Sequence, residues 1–229
     1  NKNLKILLTI FFLTQSASAV AEELEIKASQ LNLNKETKIV IAEGNVEISD
    51  NKKNIIYAEK AEYDKNKEIM KSIGTTDIIT SEKFRIQGKN IFYDNKKGII
   101  YSKSDTIITD INGNQVFVEM FDYSSSKKMF FSQGDIEIFD NKTNKYSFSE
   151  IYIDEKNRKI VGSDVKSFFN DAKFKENQKN EPRLFANSAS IDKNGTTFQK
   201  GIFTTCKNRE GEKCPPWSIQ ATKIQHSKA

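Results

Sequence analysis

Apolar and polar side chains alternate along most of this chain, and the alternation recurs at a fixed step of 30 residues. Within one unit the apolar spacing is mostly two, the pattern of a half-buried β-strand. One phase slip separates Ala58 from Ala61, which predicts a bulge or bend in that strand. The columns that keep the step include Ile26, Ile56, Ile86, Val116 and Tyr146; Leu33, Tyr63, Tyr93, Tyr123 and Ile153; and Ile48, Ile78, Ile108, Ile138 and Phe168.

Polar turn sequences divide each unit into two strands of about 8 to 11 residues. Examples are Asp64–Lys67 and Asp110–Asn114. Two strands cannot bury their own apolar face, so successive units must stack on one another. The sequence therefore predicts an all-β fold. We expect an elongated, twisted β-jelly roll of stacked two-stranded units of about 30 residues. The period and the β-branched and aromatic content exclude a coiled coil or a helical repeat.

The first segment has the features of an export signal. A short basic start precedes the apolar run Ile6–Leu13, and small residues at Ala17, Ala19 and Ala21 offer two cleavage sites. We therefore expect residues 1–19 to be a signal peptide, with cleavage after Ala19 or Ala21. The predicted division continues with jelly-roll repeats over 20–205 and a Cys/Pro-Trp segment over 206–229.

The composition argues against several classes of function. The chain has 229 residues, a formal net charge of +5 and a single histidine, His226, which argues against histidine catalysis or a metal site. Acidic Glu47, Asp77 and Glu137 fall in one column, but the alternation turns them to solvent and Ile107 interrupts the column. We expect no enzyme activity and no cofactor. Nucleic acid is not an expected partner for an exported chain with interspersed charges of both signs.

One sequence motif points to a family. Ala42–Ile48 reads Ala-Glu-Gly-Asn-Val-Glu-Ile, and Ala61–Lys67 reads Ala-Glu-Tyr-Asp-Lys-Asn-Lys. Similar sequences recur in later units, and together they resemble the OstA-like repeat over about residues 21–229. That repeat occurs in the lipopolysaccharide-transport proteins LptA and LptC and in the N-terminal domain of LptD. The resemblance implies an OstA/LptA-like jelly roll in the periplasm of a Gram-negative bacterium, associated with the outer membrane.

The C-terminal segment indicates which member of this family the chain resembles most. Gly201–Cys206 followed by Cys214–Ala221, with its Pro-Pro-Trp sequence, is similar to the segment that leads from the LptD N-terminal domain into its barrel. The sequence ends eight residues after Ala221, so we expect the periplasmic part of an LptD-type protein without its barrel. A stand-alone LptA-like bridge is the alternative. An LptE-type lipoprotein is an implied partner only if the barrel is present.

The resemblance also implies that lipopolysaccharide acyl chains lie against the inward-facing residues. Each methylene group kept from water is worth about 0.8 kcal/mol, so a carrier needs continuous apolar cover. From the residues alone, a lipid-lined groove and a closed dry core are equally compatible with the alternation. The candidate groove residues are Ile26, Leu31, Ile48, Ile56, Tyr63, Ile78, Ile86, Ile91, Tyr93, Ile108, Val118, Phe121, Ile136 and Ile138.

Two further features concern the ends of the repeat. The first unit, from Glu23 to Ile48, has no proline and few inward charges, so its edge could accept a strand from a partner. The resemblance implies that this partner is an LptA-like bridge protein. Cys206 and Cys214 could form a disulfide across seven intervening residues. The resemblance implies instead a pairing with barrel cysteines, and both connectivities stay open.

Overall fold

The structure is a computed structural model that describes residues 24–141, 143–170, 180–207 and 215–227. The predicted signal peptide, and Cys214 of the possible disulfide, lie outside the described residues. Regular structure within the described ranges consists of β-strands, which confirms the all-β prediction. The strands are β1 (Glu25–Lys27), β2 (Gln30–Asn34), β3 (Ile39–Ser49), β4 (Ile55–Asp64), β5 (Ile69–Ile79), β6 (Arg85–Lys89), β7 (Phe92–Asp94), β8 (Ile99–Ser102), β9 (Thr106–Thr109), β10 (Gln115–Val118), β11 (Phe121–Ser124), β12 (Met129–Phe139), β13 (Lys145–Asp154), β14 (Lys159–Phe168), β15 (Arg183–Asp192), β16 (Gly195–Thr204) and β17 (Ile219–Ser227).

The strands form one antiparallel meander in which each long strand pairs with the strands, or strand halves, that come before and after it in the chain. Four pairs of short strands, β1/β2, β6/β7, β8/β9 and β10/β11, are the two halves of interrupted long strands. In three of the pairs both halves bond to the same long strand, as β1 and β2 both bond to β3. The halves β8 and β9 bond instead to the halves of the interrupted strands on either side of them. The predicted unit of two strands is therefore correct, and some of its strands are broken in the middle.

Several long strands are irregular near their middle, and the sheet folds over along this line. The pairing register slips between Glu43 and Val46, and again between Gln133 and Ile136. Gly44 and Gly134 occupy the left-handed region at φ 75° and 108°, which favours glycine. The predicted phase slip after Ala58 is confirmed as a register shift in β4. We call the strand halves that carry Ile48 and Ile56 layer one.

Layer two consists of the opposite strand halves, which carry Tyr63, Met70 and Tyr93. In each layer the inward residues pair across neighbouring strands in an unbroken row. The layer-one row is Ile26, Ile48, Ile56, Ile78, Ile86, Ile108, Val116, Ile138, Tyr146, Ser167, Leu184, Phe203 and Ile219. The layer-two row is Leu33, Val40, Tyr63, Met70, Tyr93, Ile100, Tyr123, Phe130, Ile153, Ile160 and Ile191.

The two layers are offset along the axis of the stack by about one and a half units. Asp50 of layer one meets Tyr93 of layer two, 43 residues later, and Ser81 meets Lys128, 47 residues later. Because of this offset, the first layer-two strand has no layer-one segment opposite it. Its Leu31 and Leu33 are each 52% exposed although they belong to the apolar face. At the other end, Ile219 in the layer-one row is 57% exposed.

The turns repeat as regularly as the strands. In the layer-two turns, residues 30 apart share a left-handed conformation, with φ between 50° and 63° at Lys38, Glu68, Gly98, Lys128 and Arg158. Backbone hydrogen bonds join each turn to the next, as from Lys65 N to Lys38 O at 3.2 Å. The repeat thus extends to backbone conformation and stacks the turns into a continuous rim.

Candidate functional site: the interior and the free edges

The predicted groove residues lie on the inward faces of the two layers, and most are closed off from solvent. Leu31 is exposed at the N-terminal end, and Ile26, Tyr63 and Ile138 are half-buried and pack against the core. The remaining ten are buried: Ile48, Ile56, Ile78, Ile86, Ile91, Tyr93, Ile108, Val118, Phe121 and Ile136. Contact of a lipid with any of these residues stays a prediction.

The interior near the N-terminal end of the stack leaves little empty space between the layers. One cavity between the layers, about 10 Å³, is lined by Ile48 and Ile56 of layer one and by Tyr93 and Ile100 of layer two. A space of that size holds about one water molecule. An acyl chain would therefore require the layers to move apart there.

A set of serines 30 residues apart, at the line where the sheet folds over, was not recognised in the sequence. Ser72, Ser102 and Ser132 are 30 residues apart and buried. The Ser72 hydroxyl accepts a hydrogen bond from Ile91 N at 2.9 Å, and the Ser132 hydroxyl donates to Met120 O at 2.7 Å. These serines satisfy backbone groups where a neighbouring strand is interrupted. Their 30-residue spacing was the available signal.

A second missed signal is an aspartate followed four residues later by an asparagine in the layer-one turns. Asp50 Oδ2 accepts from Asn54 Nδ2 at 2.7 Å, and Asn54 Oδ1 accepts from Ser81 N in the next turn at 2.9 Å. Asp110 with Asn114, and Asp140 with Asn144, repeat the pair. The asparagines thereby connect successive turns along the layer-one rim.

The line along which the turns of layer one meet those of layer two is here called the seam. Tyr93 donates its hydroxyl hydrogen bond to Asp50 Oδ2 across it, at 3.3 Å. Further along, Lys128 of layer two lies 3.4 Å from the Glu82 carboxylate of layer one. The seam is thus polar, although the interior behind it is apolar.

A half-buried carboxyl group lies beside the Lys128 contact. Glu155 accepts a hydrogen bond from the Tyr123 hydroxyl at 3.0 Å. Burial raises the pKa of Glu155 above its ordinary value, while this hydrogen bond and the charge of Lys128 lower it in part. Burial, followed by the nearby Glu155 charge, also raises the pKa of Tyr123, so its hydroxyl stays protonated and can donate.

The acidic column noted in the sequence lies on the outer face. Glu47 pairs with Lys27, Asp77 with Arg85, and Glu137 with Lys145 on neighbouring strands. Each carboxylate thus has a cation beside it, and Lys27 also contacts Glu25. In the described ranges, no group of three or more His, Cys, Asp or Glu side chains is arranged to hold a metal ion.

Both ends of the sheet present a strand with one unbonded edge. At the start, β1 and β2 pair only with β3 within the described residues. At the other end, β17 pairs with β16. Each edge adjoins exposed members of the inward apolar face, Leu31 and Leu33 at one end and Ile219 at the other. Backbone groups and apolar side chains are therefore available together at each end.

The segment before β17 is held at a corner. The Thr204 hydroxyl donates to Trp217 O at 2.8 Å and accepts from Cys206 N at 3.1 Å. The Arg183 guanidinium, largely buried, donates to Cys206 O. The Thr-x-Cys and Pro-Trp sequences thus meet in space. The disulfide prediction is untested because Cys214 lies outside the described residues.

Comparisons with known proteins are sparse. No protein-family model matches the sequence, and no curated protein matches it. Among solved structures, the chain has a likeness to LptH, the LptA-homologous periplasmic component of the lipopolysaccharide transport device of Pseudomonas aeruginosa. The two are 11% identical, the match covers 62% of this chain and 82% of that one, and the TM-score is 0.27. Separately, no helix in the described residues is long and apolar enough to span a membrane.

Proposed function

We propose that this protein carries lipopolysaccharide in the periplasm, shielding its acyl chains between the two layers. The observation that carries the proposal is the pair of facing, largely apolar rows, which run along the stack and are exposed at its ends through Leu33 and Ile219. A row that continues from unit to unit offers an acyl chain nearly the same surface at each step.

The energetics favour such a continuous wall. A chain of about twelve carbons costs roughly ten kcal/mol to expose fully to water. Neighbouring units present Ile48 and Ile56, then Ile78 and Ile86, at equivalent places. No unit of that stretch would bind the chain much more tightly than the next, so transfer along it would meet no deep trap.

We further propose that β1 and β2 accept an edge strand from an LptA-like bridge protein. Their unbonded edge supplies main-chain groups, and exposed Leu31 and Leu33 supply apolar contact. Among members of the resembling family, the corner formed by Thr204, Cys206 and Trp217 favours the periplasmic part of an LptD-type outer-membrane assembly protein. A stand-alone LptA-like bridge is the alternative.

Site-specific photo-crosslinking in cells tests lipid carriage. A photoreactive residue at Phe121 or Ile136, which face the interior, should capture lipopolysaccharide. The matched control is Glu137, the neighbour of Ile136 on the outer face, which is ion-paired with Lys145. Equal labelling at Ile136 and Glu137, or labelling at neither inward position, would contradict the proposal.

The partner proposal is tested by placing the photoreactive residue in β2. At Asn32 it should trap an LptA-like protein, because that strand has a free edge. The control position is Glu62 on β4, which is paired on both sides. Capture of further copies of this chain alone would count against an LptA-like partner.

A further inference from the structure

Lys128 reaches across the seam, whereas Lys67 and Lys97 of the same rim pair with aspartates of their own turns. The Lys128 ammonium lies 3.2 Å from Ser81 Oγ and 3.4 Å from Glu82 Oε1, both in layer one. Its side chain is 30% exposed, whereas Lys67 and Lys97 in the preceding turns are 72% and 71% exposed. Lys128 is therefore a partly desolvated cation placed between the layers.

The backbone of Lys128 is held in place, whereas its ion-pair partner Glu82 is exposed and replaceable. The Lys128 carbonyl accepts a hydrogen bond from Glu155 N at 3.0 Å, which fixes the backbone. Glu82, in contrast, is 55% exposed. An ion pair with so exposed a partner is worth about 0–1 kcal/mol. Another anion can displace the Glu82 carboxylate at little cost.

The location of Lys128 matters if lipid lies between the layers, and this step rests on the proposed function. Acyl chains inside the apolar interior leave a charged headgroup that must remain in contact with water. The seam is where the interior reaches the surface along the side of the stack. A phosphate there carries about −1.5 to −2 charges near neutral pH, more than the Glu82 carboxylate it would displace.

We propose that Lys128 binds the phosphate of an anionic lipid headgroup by exchanging it for Glu82. In the empty protein the Lys128–Glu82 pair bridges the two layers at the seam. When a phosphorylated lipid parts the seam, the ammonium transfers its contact from the carboxylate to the phosphate. Glu82 is then a competitor for the ligand, and the two residues have opposite effects on binding.

The test uses the full chain with two soluble probes that share their acyl chains, dioctanoyl phosphatidic acid and uncharged dioctanoylglycerol. Isothermal titration gives the Kd of each. Lys128→Gln should weaken phosphatidic acid about three- to tenfold and leave dioctanoylglycerol within about twofold. Glu82→Gln should strengthen phosphatidic acid by a similar factor. Lys97→Gln, which removes an exposed lysine paired with Asp94 in its own turn, is the matched control and should change neither Kd.

Four results would overturn the exchange. If Lys128→Gln and Glu82→Gln weaken both probes alike, the pair is a structural contact only. If inorganic phosphate alone competes as well as phosphatidic acid, the site takes free phosphate and not a lipid headgroup. If the wild type binds neither probe, the proposed lipid carriage itself fails and the exchange fails with it. If the wild type binds both probes but Lys128→Gln leaves the ratio of their Kd values unchanged, the exchange is refuted and the proposed lipid carriage is not.

Discussion

The hydroxyl of Tyr93 lies 3.3 Å from Asp50 Oδ2, and this hydrogen bond joins layer two to layer one from 43 residues apart. Tyr93 is buried within the layer-two row, whereas Asp50 begins a layer-one turn. The bond therefore runs from the apolar interior to the polar rim. Its span of 43 residues reflects the offset between the layers, which leaves the apolar face exposed at each end.

Tyr93→Phe should lower the free energy of unfolding by about 1–2 kcal/mol, because the variant leaves the Asp50 carboxylate without this donor. Urea denaturation followed by circular dichroism measures the loss. Tyr101→Phe is the control, since its ring stacks on Phe92 on the outer face. An equal loss in the two variants would show that the cross-layer bond adds nothing to stability.

The period of the chain was enough to predict the strands, the bend after Ala58 and the inward columns of the central units. Those features follow from side-chain alternation, which is local. The offset between the layers is not local, because it depends on twist accumulated over several strands. Contacts such as Tyr93 with Asp50, and Lys128 with Glu82, could therefore not be read from the sequence.

The 30-residue step also fails at one predicted position. Phe168 follows Ile138 by 30 residues, yet it faces outward and is 40% exposed, while Ser167 occupies the inward row. The pairing of β12 with β13 contains an extra residue between Gln133 and Ile136, and β14 lacks it. A missing bulge residue shifts the following inward position by one. Only the strand pairing reveals this slip.

Two fully buried serines should respond differently to the same substitution. Ser72 accepts hydrogen bonds from Ile91 N and Thr76 Oγ1 at the fold line. The Ser167 hydroxyl is buried in the layer-one row with no hydrogen-bond partner among the described residues. We expect Ser72→Ala to cost about 1–3 kcal/mol, because Ile91 N loses its buried acceptor. Ser167→Ala should be neutral or slightly stabilising.

Chemical denaturation of the two serine variants under the same conditions provides the comparison. Each variant loses a single hydroxyl oxygen from a side chain with no measurable exposure, so differences in burial do not enter. A loss of stability in Ser167→Ala as large as that in Ser72→Ala would show that the hydrogen bonds at the fold line are not what makes Ser72 important.

The layer-one turns permit a reciprocal test of backbone conformation. Lys53 and Gly113 occupy equivalent positions two units apart, with φ 69° and 82°. A Cβ added at Gly113 would meet no atom within 4 Å, so only the dihedral angle opposes a side chain there. Gly113→Lys should therefore cost about 1–2 kcal/mol. Lys53→Gly should gain about 0.5–1 kcal/mol, because the greater freedom of glycine in the unfolded chain offsets part of the relief. Thermal unfolding midpoints should move down in the first variant and up in the second, and a shift of both in one direction would contradict this account of the turns.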